Sequence, residues 1–285
     1  MNQLLDDLIK VMTLERLEIN LFRGQSRDIG SPQVFGGQVL GQALVAATQT
    51  VENREVHSLH AYFLRRGDFN SPIVYEVDRA WDGKHFSTRR VVAIQHGAQI
   101  FNLSASFQLP EEGLDHQIAM PEVPAPEELQ DLQSLYHVAL AKAPEAMRRV
   151  LEQKRPFEFR PVEVPDFTRT VKGPPIKHVW FRAVAPLPDD EALHRCLLAY
   201  ASDFSLLDTA LKPHALNMMS SKLVIASLDH AMWFHRKVRV DDWLLYAMDS
   251  PSASGARGFT RGSLFSRDGR LVASASQEGL IRVTS

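Results

Sequence analysis

The sequence predicts an α+β protein of two similar halves in tandem, each an antiparallel β-sheet set against one buried helix. Three observations predict it. Segment 36–51, GGQVLGQALVAATQTV, has sixteen residues and no charge, and a helix that is apolar or small nearly all round is one that must be buried. After it come segments rich in β-branched and aromatic residues, divided by the turn pairs Asp82-Gly83 and His96-Gly97, which is the pattern of hairpin-joined strands. The same order of elements then returns, the mark of an internal duplication.

In the first half the helix is followed by predicted strands at His57 to Leu64, Ile73 to Val77, Phe86 to Gln95 and Gln99 to Gln108. In the second, Leu197 to Leu211 is the predicted helix, followed by Leu223 to His235, Trp243 to Met248, Ala256 to Ser266 and Leu271 to Ile281, with Asp268-Gly269 closing the last hairpin. His60-Ala61 lies 48 residues before Gln108, and His230-Ala231 lies 47 before Gln277. Between the halves the composition changes: 12 of the 16 prolines fall between Pro110 and Pro188. Residues 109–133 read as an exposed connection leading into a helical stretch near Leu135 to Leu151. The expected division is therefore 1–108, a connection with a helix at 109–155, and 156–285.

Composition narrows the function. Apolar residues make up 45% and charged residues 23%, and 32 Lys plus Arg stand against 34 Asp plus Glu for a net charge of −2. That leaves no global field to recruit nucleic acid, so an anionic ligand needs a local basic patch. One cysteine, Cys196, excludes a disulfide framework within the chain and Cys-rich metal sites, and points to a reducing compartment. The first ten residues carry Asp6 and Asp7 inside their apolar pattern, unlike a signal peptide, and no uncharged apolar run reaches membrane-spanning length.

A duplicated scaffold needs only one copy of a site, so polar residues that break the pattern in one half are informative. Asp203 lies among Ala199, Tyr200, Leu206 and Leu207 in the predicted helix, on a face otherwise committed to burial, where a carboxylate must be paired, hydrated or functional. The alternative is an N-cap to a helix at Phe204 to Leu211, and spacing leaves the two level. Asp208, with Lys212 four residues on, reads as a solvated pair. Ser227 stands in an apolar strand and Gln277 in L-V-A-S-A-S-Q-E-G, with Gln108 as its counterpart in the first half. Either alone is an ordinary structural residue. Joined by an acid, the two could hold a water and remove its proton.

Other chemistries lack their motifs: no G-x-S-x-G elbow, no H-E-x-x-H and no phosphate-binding glycine loop. His57 and His60 fall on opposite faces of a strand, as do Asp229 and His230, although either of the latter could organise the site. Cys196 reads as core packing. Arg65, Arg66, Arg89, Arg90, Arg236, Lys237, Arg257 and Arg261 read mainly as solvated strand faces, with some available to a ligand phosphate. No metal or cofactor is expected.

Seven motifs in order carry a resemblance that runs over essentially the whole chain: L-F-R-G-Q-S (21–26), V-F-G-G-Q-V-L-G-Q-A-L (34–44), H-S-L-H-A-Y-F-L-R-R-G-D (57–68), Y-A-S-D-F (200–204), D-H-A-M-W-F-H-R (229–236), S-G-A-R-G-F (254–259) and V-A-S-A-S-Q-E-G (272–279). With these the sequence resembles the acyl-CoA thioesterase II family, double-hotdog enzymes of bacteria with peroxisomal relatives. The resemblance implies two tandem hotdog folds, each an antiparallel sheet wrapped around a central helix. It also implies hydrolysis of medium- to long-chain fatty acyl-CoA and association into homodimers or homotetramers. The family's acid, hydroxyl and amide around the attacking water fall on Asp203, Ser227 and Gln277. Better-known bacterial members have Thr where this chain has Ser227. The last residues, Arg282 to Ser285, lack the S-K-L address of the peroxisomal relatives, so the expectation is a cytoplasmic enzyme. The rival readings are a hotdog enoyl-CoA hydratase and a non-catalytic acyl-CoA binding protein.

Overall fold

The computed structural model describes residues 2–31, 33–140, 148, 151–165, 171–218, 220 and 223–284. Its elements are α1 (Gln3–Met12), β1 (Glu15–Glu18), β2 (Leu21–Gly24), α2 (Gly36–Thr48), β3 (Glu55–Phe63), β4 (Ile73–Asp82), β5 (Phe86–Gln95), β6 (Ala98–Gln108), α3 (Leu132–Leu140), β7 (Phe157–Pro161), β8 (Ile176–Ala183), α4 (Glu191–Ser202), β9 (Leu223–Ser227), β10 (Asp229–Phe234), β11 (Leu244–Ser254), β12 (Arg257–Ser266) and β13 (Leu271–Val283), with 3-10 turns at Pro126–Glu128 and Leu207–His214.

Among the described residues the strands form one antiparallel sheet in the order β1-β2-β4-β5-β6-β3-β10-β13-β12-β11-β8-β7, with β9 also paired to β13. The halves meet edge to edge where β3 pairs β10, with His230 opposite Ala61 and Met232 opposite Leu59. Neither half therefore leaves this edge unpaired. The expected α+β architecture of tandem sheets around central helices is thus observed, with the two sheets continuous.

The uncharged segment 36–51 forms α2 and is buried along most of its length. It packs against α4 so closely that a Cβ on Gly37 would lie 2.4 Å from the Tyr200 carbonyl oxygen. Asn2 caps α1, accepting from the Leu4 N–H at 3.0 Å, and the helical spacing of Leu5, Leu8 and Met12 turns these three inward. They join a core that runs through both halves. His96 and Gly97 take φ values of 52° and 72° in the β5–β6 turn, as a two-residue hairpin with the right twist requires.

Several expectations are corrected. The second-half helix ends at Ser202; Ser205 takes φ 67°, a left-handed turn that breaks the stretch Leu197 to Leu211 before the 3-10 turn begins. The predicted strand Leu223 to His235 is two strands broken at Leu228, whose N–H bonds the Glu278 carbonyl while its own carbonyl accepts from Phe63 N, both at 2.9 Å. The 109–133 connection is mostly exposed but straps the outer face of the second sheet: Gln117 donates to the Gly269 carbonyl at 2.8 Å, and Trp180 Nε1 donates to the Pro124 carbonyl at 3.0 Å. Helix α3 covers the start of the predicted helical stretch; of its remainder, residues 141–147, 149 and 150 lie outside the described residues. No helix among the described residues is long and apolar enough to cross a membrane.

Candidate active site

Asp203 is the C-cap residue of α4, with φ −78° and ψ −11°, so both sequence readings of it, mid-helix and N-cap, are overturned. Its side chain is only 6% exposed. A carboxylate there faces the negative end of its own helix dipole, an arrangement that stability does not favour. The opposite pole lies across from it. Gly36 opens α2, and a Cβ on Gly36 would lie 2.8 Å from Asp203 Oδ2. The positive end of the first half's helix thus approaches the acid carried by the second.

Gln277 ties the cluster together. It is 1% exposed, and its Nε2 donates to Asp203 Oδ1 at 2.8 Å and to Ser227 Oγ at 3.0 Å. Both amide hydrogens are thereby used, and Ser227 keeps its own hydroxyl proton to donate. Among the described residues Gln277 Oε1 has no hydrogen-bond partner. The three residues come from three elements: Ser227 ends β9 opposite Gly279, and Gln277 lies in β13 opposite Thr260. The break at Leu228 shifts the register by one residue between β10 and β9, which both pair with β13, and Asp229 secures it by accepting from the Glu278 N–H at 2.6 Å.

Asp203, Ser227, Gln277 and Gly36 line one cleft of about 230 Å³, with Phe35, Leu207 and Met218 among its apolar walls. Asp208 lines it too, but its partner is Lys177, at 2.7 Å, rather than the expected Lys212; the turn after Ser205 carries it toward β8.

Behind the acid lies His230, fully buried, with Nδ1 4.0 Å from Asp203 Oδ1 and Nε2 2.9 Å from Ser202 Oγ. Burial pushes its pKa below the ordinary imidazole value and so favours the neutral ring, opposed by the Asp203 charge. The sequence signal for it was the inward alternation of His230, Met232 and Phe234 in β10. The role of Gly36 had no such signal, since only the packing of α2 on α4 brings it to the second half.

The counterpart of this cluster in the first half is not the one that spacing predicts. The β5–β6 and β12–β13 hairpins carry matching bulges, after Ala93 and after Leu264. Counting from them, Gln277 falls opposite Thr260 as Ala105 falls opposite Arg89, so Ala105 rather than Gln108 is its equivalent. Gln108 sits at the strand end and bonds Glu111 at 3.1 Å. Arg89 is no solvated strand residue either. It is 2% exposed and its guanidinium binds Thr50 Oγ1, the Thr50 carbonyl and Asp82 at 2.9, 3.1 and 2.7 Å. A structural guanidinium thus stands beside the Ala105 position. Arg257 and Arg261 pair with Glu278 and Asp249 on the outer face.

His57 bonds Ser106 Oγ at 2.8 Å while His60 stacks edge-on with Trp233, so the two share no ligand. Cys196 is buried and its thiol pKa is pushed up to about 12 by desolvation, which makes it a poor nucleophile.

An antiparallel double sheet around two helices, with an acid, an amide and a hydroxyl lining one cleft, is the architecture of a double hotdog protein. Comparison with known proteins gives the family. Residues 23–108 match the model of the acyl-CoA thioesterase N-terminal domain, and residues 150–280 that of acyl-CoA thioesterase. The chain is 42% identical to acyl-CoA thioesterase 2 of Haemophilus influenzae over 99% of both chains. It is likewise 42% identical to human acyl-coenzyme A thioesterase 8, over 96% of this chain and 88% of the relative. The crystal structure of an acyl-CoA thioesterase II, TesB2, of Mycobacterium marinum superposes with a TM-score of 0.80 at 42% identity, covering 98% of this chain and 99% of the other. The chain belongs to the acyl-CoA thioesterase II family.

Proposed function

We propose that this protein hydrolyses medium- to long-chain fatty acyl-CoA to free fatty acid and CoA, with Asp203 as general base and Ser227 and Gln277 orienting the attacking water. The observation that carries the reading is the single amide of Gln277 bridging Asp203 Oδ1 and Ser227 Oγ at 2.8 and 3.0 Å inside the cleft. Asp203 takes one proton as the water oxygen bonds to the thioester carbonyl carbon. The negative charge moves to the carbonyl oxygen, which the first N–H groups of α2, beginning at Gly36, stabilise as fixed donors at a helix N-terminus. Collapse of the tetrahedral intermediate breaks the carbon–sulfur bond, and the CoA thiolate takes the proton from Asp203. No covalent enzyme intermediate forms. We further propose the division at 1–108, 109–155 and 156–285, a cytoplasmic location, and assembly into dimers or tetramers.

The test is free thiol released from a panel of saturated acyl-CoA thioesters by the purified protein. Steady release of CoA is expected. Hydration of enoyl-CoA without thiol release, or binding without turnover, overturns the reading in favour of a hydratase or a binding protein.

Ser227 is tested by a pair of variants. Ser227→Thr keeps the hydroxyl and adds one methyl, a packing change of about 1 kcal/mol, so its kcat is expected within roughly tenfold of the parent. Ser227→Ala removes the donor and is expected to lose more. An alanine variant as fast as the parent means that Ser227 orients nothing.

A further inference from the structure

A second cavity, of about 240 Å³, has a mainly apolar wall that includes Leu132, Phe157, Phe159 and Val184, with charged residues, Arg155 and Glu158 among them, also in its lining. What separates it from the catalytic cleft is a layer of aromatic rings. Phe35, which lines the cleft, stacks on Phe204 with centroids 4.3 Å apart, and Phe204 meets Phe159 of the second cavity edge-on at 5.4 Å. The Arg155 guanidinium lies 5.0 Å from the Phe204 ring centre. Phe204 directly follows Asp203 in the chain, and its ring, which lines neither space itself, fills the layer between Phe35 of the cleft and Phe159 of the second cavity.

From this arrangement we propose that the second cavity is the subsite for the far end of a long acyl chain, and that Phe204 is the movable partition that sets chain-length preference. The inference rests on the reading of Asp203 as the catalytic base. The cleft of about 230 Å³ has to hold the thioester and the adjoining part of CoA, and an extended hydrocarbon tail needs further apolar volume. The second cavity supplies such walls one ring away. A phenylalanine side chain turns between rotamers about two bonds, and the ring contacts that Phe204 gives up, to Phe35, Tyr200 and Phe159, are offset by the burial of a run of methylenes as the tail enters. Long chains therefore displace the ring, while short ones leave it closed.

The experiment compares kcat/KM for hexadecanoyl-CoA and butanoyl-CoA in the parent and in two variants. Val184→Trp fills the second cavity and is expected to lower the long-to-short ratio about tenfold or more, the size of discrimination a few methylenes give. Phe204→Leu thins the partition and is expected to raise it. Leu132→Trp fills the same cavity from α3 and replaces Val184→Trp if that variant does not fold. A ratio that filling the cavity leaves within about twofold of the parent overturns the subsite, whatever Phe204→Leu does. Failure of the parent to release thiol from either substrate overturns the catalytic reading instead, so the two failures are told apart.

Discussion

Asp203→Asn is expected to lower kcat by about a hundredfold or more, the usual loss when a general base is removed, while thermal stability stays equal to the parent or rises. The stability half follows from where the residue sits. Asp203 carries a nearly buried charge between the C-terminal end of α4, whose dipole opposes an anion by about 0.3–1 kcal/mol, and the N-terminal end of α2, whose dipole favours it by a similar amount, so the cost of burying the charge decides the balance. Asparagine keeps the volume, and its side-chain oxygen still accepts from Gln277 Nε2, which now bonds Asp203 Oδ1 at 2.8 Å. A carboxylate retained for structure would give the reverse pattern, with activity kept and stability lost. Thiol release and thermal melting of one purified variant separate the two. Hydrolysis at the parent rate would remove Asp203 from the mechanism, and with it the assignment of Ser227 and Gln277 as its helpers.

What the sequence made legible was the part that local pattern controls. The missing charge of segment 36–51 announced a buried helix, and the pairs His96-Gly97 and Asp268-Gly269 announced hairpins, because those signals depend on neighbours in the chain. The sequence hides strands β7 and β8, short runs bounded by Pro156, Pro161, Pro174 and Pro175, because proline argues against a strand. Helix α4 was placed too late because apolar spacing continues past Ser202 while the backbone turns at Ser205. Counting residues from His60 and His230 took those two as equivalents, whereas in the ladders His60 faces Ser104 and it is Ala231 that faces Ser276. It therefore paired Gln277 with Gln108 where the ladders pair it with Ala105. The bond from Gln277 to Asp203 spans 74 residues, and proximity of that kind comes from packing rather than from spacing.

The adjacent glycines at the start of α2 divide the work of bringing the halves together, and substituting them should separate fold from chemistry. Gly37→Ala is expected to destabilise the protein by about 1–3 kcal/mol, the range for forcing an extra carbon into a packed interface. The melting temperature should fall by several degrees, as ~2–4 °C per kcal/mol implies for a chain of this size. Alanine is the better helix former by ~1 kcal/mol, but the added Cβ would stand 2.4 Å from the Tyr200 carbonyl oxygen. That oxygen belongs to the backbone of α4, so relief requires the two helices to move apart. At Gly36 the added Cβ meets Asp203 Oδ2 at 2.8 Å and the Phe63 ring at 3.0 Å; both are side-chain atoms that turn aside. Gly36→Ala should therefore melt closer to the parent and lose activity through a displaced carboxylate. Circular dichroism melts and thiol release on the two variants check the contrast. Equal melting of Gly37→Ala and the parent would mean that α2 and α4 are free to separate, and that the approach of Gly36 to Asp203 is not held by the helix contact.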